Sequence, residues 1–268
     1  DLDIDQLKVN DFGYFAQTEA LAWEKLLVTV GVRADRSSNN GDVGKYYFFP
    51  KYAASYRMPA LMSGIVDELK VRAAYGTTGN QPQYGQKFTN LTSGSIGGVG
   101  GFSLGATRGF ADIRPELQKE LEGGIDASLF GSRAQLELTG FQRNISDLLI
   151  QRTLAPTTGF SQEVYNGASM RVRGFEASLN AFPVQSEALG GISWNVRINF
   201  AMNRSKITKL PVPAFLISTP QVGAIQIKEG QSATRLVGND TVGVAGTCPP
   251  EPVDPSVCST RVVGNVVP

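Results

Sequence analysis

The residues that could do chemistry in this chain are few, and one absence narrows them most. No histidine occurs in the 268 residues. That removes Ser-His-Asp and Cys-His catalysis, histidine-ligated zinc and HExxH sites from this stretch. Asp1, Asp3, Asp5 and Asp11 carry closely spaced carboxylates of the kind that take calcium. The glycine and distal glutamate of an EF-hand loop do not accompany them, and one strand face or a loop gives the same spacing. Glu116, Glu120 and Glu122 invite a glycosidase reading, but on a strand Glu120 and Glu122 share one face, where solvated lining accounts for them. The glycine-rich run 94–105 contains neither the P-loop nor the dinucleotide fingerprint and reads as a loop. Cys248 and Cys258 would close a short proline-stiffened loop as a disulfide in an oxidising compartment; free thiols or a metal pair are the alternatives. No catalytic residue, metal site or cofactor is assigned, and the chain is not read as an enzyme.

The elements that would position such residues are strands. Lys plus Arg (25) nearly balances Asp plus Glu (24), without a basic run, which argues against a nucleic-acid partner. No run of eighteen apolar residues occurs, so no transmembrane helix is expected. Thirty glycines and the lack of heptads make helices a minority. From Trp194 to Met202 every second residue is apolar (Trp194, Val196, Ile198, Phe200, Met202), with Asn195, Arg197 and Asn199 between them. Period-two alternation means a two-faced strand, and about ten residues of tilted strand cross a bilayer.

The same pattern recurs. Strands are predicted at about 12–23, 26–35, 46–57, 68–77, 117–130, 133–144, 170–182 and 192–203, with 204–268 as a long loop. The connections between the first and second and between the fifth and sixth are about two residues, and those after the third and seventh about ten. The others are about 10, 40, 25 and at least 60 residues. Tighter connections therefore alternate with longer ones, which in an antiparallel up-and-down sheet puts the long loops on one rim. That parity, with long strands, marks outer-membrane barrels rather than soluble sandwiches. One face of each strand is apolar, while Arg33, Asp35, Lys70, Arg72, Asp126, Glu137, Glu176 and Arg197 lie on the other. Trp23, Tyr46, Phe48, Phe182 and Trp194 sit near strand ends, where aromatic girdles occur. The expected fold is all-β: an antiparallel up-and-down transmembrane β-barrel, here a partial, open, curved sheet of about eight strands with long extracellular loops.

Short motifs then resemble a family. LKVRAAYGTTGNQ at 69–81 is similar to a segment of SusC/RagA-type TonB-dependent outer-membrane transporters. So are GYFAQ at 13–17, VGVRADRSS at 30–38, FPK at 49–51, RPEL at 114–117 running to Glu122, and DLL at 147–149. GF at 159–160, NG at 166–167, RGFE at 173–176, WN at 194–195, NRSKI at 203–207 and KEG at 228–230 follow in family order. The segment QSATRLVG at 231–238 departs from the family's usual continuation, and the cysteine loop has no family counterpart.

The resemblance implies that residues 1–268 are a piece of a β-barrel domain whose plug domain and TonB box lie outside it. It also implies outer-membrane location and uptake of an oligosaccharide or peptide. A surface lipoprotein of SusD type, the TonB complex acting through the missing plug region, and the lipid bilayer would be the partners. Substrate would meet inward polar groups and loop aromatics, with Tyr84, Phe88, Phe102, Phe110, Phe160 and Tyr165 as contact candidates. A non-energised porin or adhesion barrel and a soluble all-β carbohydrate-binding domain remain the alternatives. If the apolar face meets lipid, Arg at Val30 or Ile198 impairs assembly and Arg at Thr29 or Asn199 is tolerated.

Overall fold

The computed structural model describes residues 8–62, 64–186, 191–219, 223–240 and 261–266. The main sheet follows the chain: β1 (Asp11–Ala22), β2 (Leu26–Ser37), β3 (Tyr47–Met62) and β4 (Val66–Asn80) pair in sequence. Next come β5 (Leu91–Ile96) and β6 (Val99–Leu104), a separate hairpin, and the short β7 (Thr107–Arg108). The wall then resumes with β8 (Glu116–Leu129), β9 (Ala134–Thr153), β10 (Gln162–Ser186) and β11 (Ile192–Lys209). All eight wall strands run antiparallel to their neighbours, and β7 adds to β10 in parallel. The sheet stays open, with β1 and β11 as its edges. Among the described residues the one non-strand element is a single 3-10 turn, Pro156–Thr158.

Alternation explains why these segments are strands, and the curvature shows which face is which. On β8 the odd residues Lys119, Leu121, Gly123 and Ile125 are exposed, while Gln118, Glu120, Glu122 and Gly124 between them are half-buried. The exposed set is the outward, convex face. Following the register, that face carries Val28, Ala54, Ala73, Gly123, Gly140, Phe175 and Met202 in one row. Leu27, Ser55, Arg72, Gly124, Thr139, Glu176 and Ala201 form the adjacent inward row. Ile198 is 55% exposed and Phe200 53%, far beyond what single apolar residues on a water-facing wall explain. The compact core lies elsewhere, at the long-loop rim, where Ala168, Ile207 and Leu210 pack with Leu148, Ile150, Val212 and Phe215.

The structure lengthens the strands that the alternation predicts. β9 and β10 continue through most of the stretch predicted as a connection at 145–169, leaving 154–161 between them. Alternation fails there because Leu148, Leu149 and Ile150 are consecutive, and Val212, Phe215 and Ile227 join Leu148 and Ile150 around the rim core. The connections predicted at about ten residues shrink to 63–65 and 187–191, so the contrast between the two rims is sharper than predicted. The glycine-rich 94–105 belongs to the β5–β6 hairpin, turned by Gly97 (φ 62°) and Gly98 (φ 85°), a left-handed pair suited to a two-residue hairpin turn. The stretch 204–268, read as one long loop, begins with the end of β11. It also carries β12 (Phe215–Thr219), β13 (Gly223–Ile227), β14 (Leu236–Asp240) and β15 (Arg261–Val266), a four-stranded sheet of five- or six-residue strands. Strands that short give too few alternations to stand out from a proline- and glycine-rich background. Cys248 and Cys258, with the proposed disulfide, lie outside the described residues, as do Asp1, Asp3 and Asp5.

Candidate functional site: an inward ionic wall and a clamped loop rim

Cross-strand register brings several of the inward charges into pairs, and Arg33 and Asp35 pair within β2. Arg72 on β4 donates to Asp126 at 3.2 Å and also to Glu122 and Thr139 across β8 and β9. Lys70 reaches the other oxygen of Asp126 at 2.9 Å. On the next strands Arg143 holds Glu120 through two donors, at 3.0 and 3.3 Å. Arg33 pairs with Asp35 at 2.7 Å, and Arg57 with Glu68 at 3.1 Å. These side chains lie across the sheet, which requires small neighbours. A Cβ on Gly124 would stand 2.7 Å from the Arg72 guanidinium, and one on Gly174 only 2.4 Å from the Phe141 ring. The glycine of the RGFE motif is therefore a slot for an aromatic on the adjacent strand. A cavity of about 540 Å³ opens beside Arg33, Asp35, Phe49, Lys51 and Thr78.

The rim is tied down by two buried polar groups. The Glu163 side chain is 5% exposed and lies between two arginines. Arg108 from the long loop donates through Nε to Oε1, and Arg152 from β9 through Nε to Oε2, each at 2.7 Å. Burial alone would raise this carboxyl, but the hydrogen bonds and charges of Arg152 and Arg108 outweigh it and hold Glu163 below the usual carboxylate range. Asn166, also buried, accepts from the Arg114 amide and donates to the carbonyls of Arg114 and Asp147, each at 2.8 Å. One amide side chain thus joins the start of β8, the β9 bulge and β10. A Cβ on the neighbouring Gly167 would strike the Tyr165 ring at 2.2 Å. The NG and RPEL motifs are two halves of this knot.

The six aromatic candidates do not converge. Phe110 and Tyr165 pack edge to face with ring centroids 5.7 Å apart, and the Arg152 guanidinium lies 4.4 Å from the Tyr165 centroid. Phe160 is half-buried on the 154–161 connection. Tyr84, Phe88 and Phe102 are exposed on the long loop and its hairpin, and none of the six lines the 540 Å³ cavity. Sequence reasoning missed Glu163 altogether: its two partners lie 55 and 11 residues away, and nothing local marks it. Among the described residues no cluster of three or more Cys, Asp or Glu has metal-site geometry.

Residues 2–239 match the family model described as TonB dependent receptor-like, beta-barrel. The chain belongs to the TonB-dependent receptor β-barrel family. This receptor barrel chain is 29% identical over 240 residues to TonB-dependent receptor P3 of Formosa agariphila, covering 82% of the chain and 23% of P3. It is 28% identical over 244 residues to receptor P26 of the same organism, again covering 23% of the relative. The chain therefore spans about a quarter of the length of these relatives. The RagAB peptide transporter superposes on 88% of the chain with a TM-score of 0.76 at 22% identity, using 26% of that structure. The siderophore receptor PirA of Pseudomonas aeruginosa shares the fold more distantly, at a TM-score of 0.51 and 15% identity. The wall that carries many of the SusC/RagA-type motifs of this receptor barrel thus has the fold of the matching part of the RagAB structure. The family is one of outer-membrane proteins.

Proposed function

We propose that this chain forms wall and external loops of an energised outer-membrane importer for oligosaccharides or peptides. The observation that carries the reading is the division of the sheet into an outward apolar face and an inward face of paired charges. A bilayer on one side and a wet lumen on the other favour both at once. Arg57, Lys70, Arg72 and Arg143 are paired in place with carboxylates, which suits a fixed polar lining, and no bond-making step is assigned to it. RagAB is described as a peptide importer, which supports peptides beside oligosaccharides as cargo. A SusD-like surface lipoprotein would cover the rim that carries the long loops, and TonB would act from the opposite side through a plug. The six aromatics remain candidate cargo or lipoprotein contacts, with Tyr84, Phe88 and Phe102 the accessible ones.

The test is uptake by the full-length receptor in its own cell. Deleting its gene is expected to abolish growth on one oligosaccharide or peptide mixture, and disrupting TonB to have the same effect. Uptake that survives TonB disruption would move the reading to a passive porin. Release of the receptor by carbonate without detergent would refute the membrane assignment itself.

A further inference from the structure

At the long-loop end of the wall, the outward face changes from apolar to cationic within two residues. Lys119, Asn144, Arg171 and Lys206 form one cross-strand row on β8 to β11, and Leu121, Gln142, Arg173 and Arg204 the next. Immediately below are Phe175 and Met202, and then Ile125, Ala177 and Phe200. The cations share their face with the apolar belt, not with the ionic wall. Arg171 stands directly opposite Lys206, and Arg173 opposite Arg204. Like charges facing each other across a ladder are unfavourable unless something anionic joins them.

Their partners make the contrast clear. Four of the inward arginines, Arg33, Arg57, Arg72 and Arg143, each hold a carboxylate. Among the described residues none of the five outward cations has a carboxylate within ion-pair distance. Arg171 instead donates to the Asn144 amide oxygen at 3.1 Å and Arg173 to that of Gln142 at 2.7 Å. Neutral acceptors orient the guanidinium groups without neutralising them. Glu229, next to the loop that lines them, accepts from the Leu210 amide at 3.0 Å. A groove of about 630 Å³ runs between Arg171, Arg173, Arg204 and Lys206 and the loop at 230–232, and continues down to Phe175 and Met202.

We infer that this groove binds the phosphorylated headgroup of an acylated outer-leaflet lipid, with its chains lying along Phe175, Met202 and Phe200. Guanidinium groups suit phosphate oxygens through paired donors, and a basic cluster just above a bilayer-facing apolar belt is the arrangement that anionic headgroups select. The inference rests on the outward face meeting the bilayer. Failure of that reading shows separately, as extraction without detergent, before any lipid is added.

The experiment uses the full-length receptor in nanodiscs containing either lipid A or chemically dephosphorylated lipid A, exchanged into detergent and weighed by native mass spectrometry. The wild type is expected to retain lipid A and not the dephosphorylated form. Combined Arg171→Gln, Arg173→Gln, Arg204→Gln and Lys206→Gln substitutions are expected to lower retention at least tenfold while the receptor still shows a heat-dependent gel shift. Equal retention of both lipids by the wild type would overturn the inference, and this arm stands even if the variant fails to assemble. Undiminished lipid A retention by the variant would also overturn it. So would unchanged retention with loss of a co-purifying protein, which would reassign the groove to a protein partner.

Discussion

Glu163 is the residue on which the rim most depends. It is buried, both oxygens are held by arginines, and one of those arginines belongs to the long loop while the other belongs to the wall. Its carboxyl is depressed below the ordinary range, so the stability it contributes is present above the unfolded pKa and is lost as pH falls through the folded value. Hydrogen–deuterium exchange at 108–115, taken relative to the intrinsic amide rate at each pH, is expected to rise as pH drops below about 4, near the unfolded glutamate pKa. Glu163→Gln is expected to raise that exchange about tenfold at neutral pH, the size of one lost charge-assisted hydrogen bond, and to flatten the acid response. An acid response of the same size in the variant would show that Glu163 is not its source. At this scale the faces are legible in the sequence and the pairs are not. Alternation alone places Arg72 and Asp126 inward, but that they touch depends on the β4–β8 register, where Lys70 opposes Asp126. Register is a property of two distant segments together.

The strand is the scale at which lipid and water are told apart. Val30 and Ile198 lie outward, and an arginine at mid-bilayer costs about 2–4 kcal/mol. Val30→Arg and Ile198→Arg in the full receptor are expected to lower the amount of heat-modifiable barrel in the outer membrane several-fold. Asn199→Arg is the matched inward control, since Asn199 is exposed on the lumen side and accepts only from Ser178 at 3.0 Å. Thr29 is a poor control despite its inward position. It is 7% exposed and lies beside Lys70 and Arg72, so an added arginine there meets like charge and too little space. Equal loss at positions 198 and 199 would remove the lipid-facing assignment. The middle of each wall strand is readable because nothing but solvent or lipid touches its outer face. The ends at 145–153 and 162–169 are not, because Leu148, Ile150 and Ala168 pack with loop residues there and the alternation lapses.

For the whole molecule, the open edges decide behaviour outside its full-length setting. β1 and β11 present unpaired backbone groups along most of their length, and neither lipid nor detergent can satisfy them. The polypeptide of residues 1–268, refolded alone in detergent, is expected to elute as a mixture of oligomers joined edge to edge. A monodisperse, heat-modifiable monomer would contradict this and would require the edges to close. Fold class and membrane habit are legible at this scale because they depend on spacing. The proposed cargo contacts are not, because Tyr84, Phe88, Phe102 and Phe110 lie on 81–115, which Glu163 and Asn166 help to hold from far along the chain.

The unequal rims have a consequence for how such a wall can change over generations. The tight end is closed by turns such as Trp23 (φ 51°) and Glu24 (φ 55°), with the Lys25 amide bonded to the Ala22 carbonyl, and an inserted residue there would slip a register that the whole belt shares. The other end is fastened at points, among them Glu163, Asn166 and the bonds of Lys87 to the Ser38 and Asn40 carbonyls, and the chain between those points is free to lengthen. Inheritance can therefore rewrite the long-loop rim while leaving untouched the strands whose register the whole wall shares. Relatives with different appetites are expected to differ in length at 81–115 and hardly at all at 23–25.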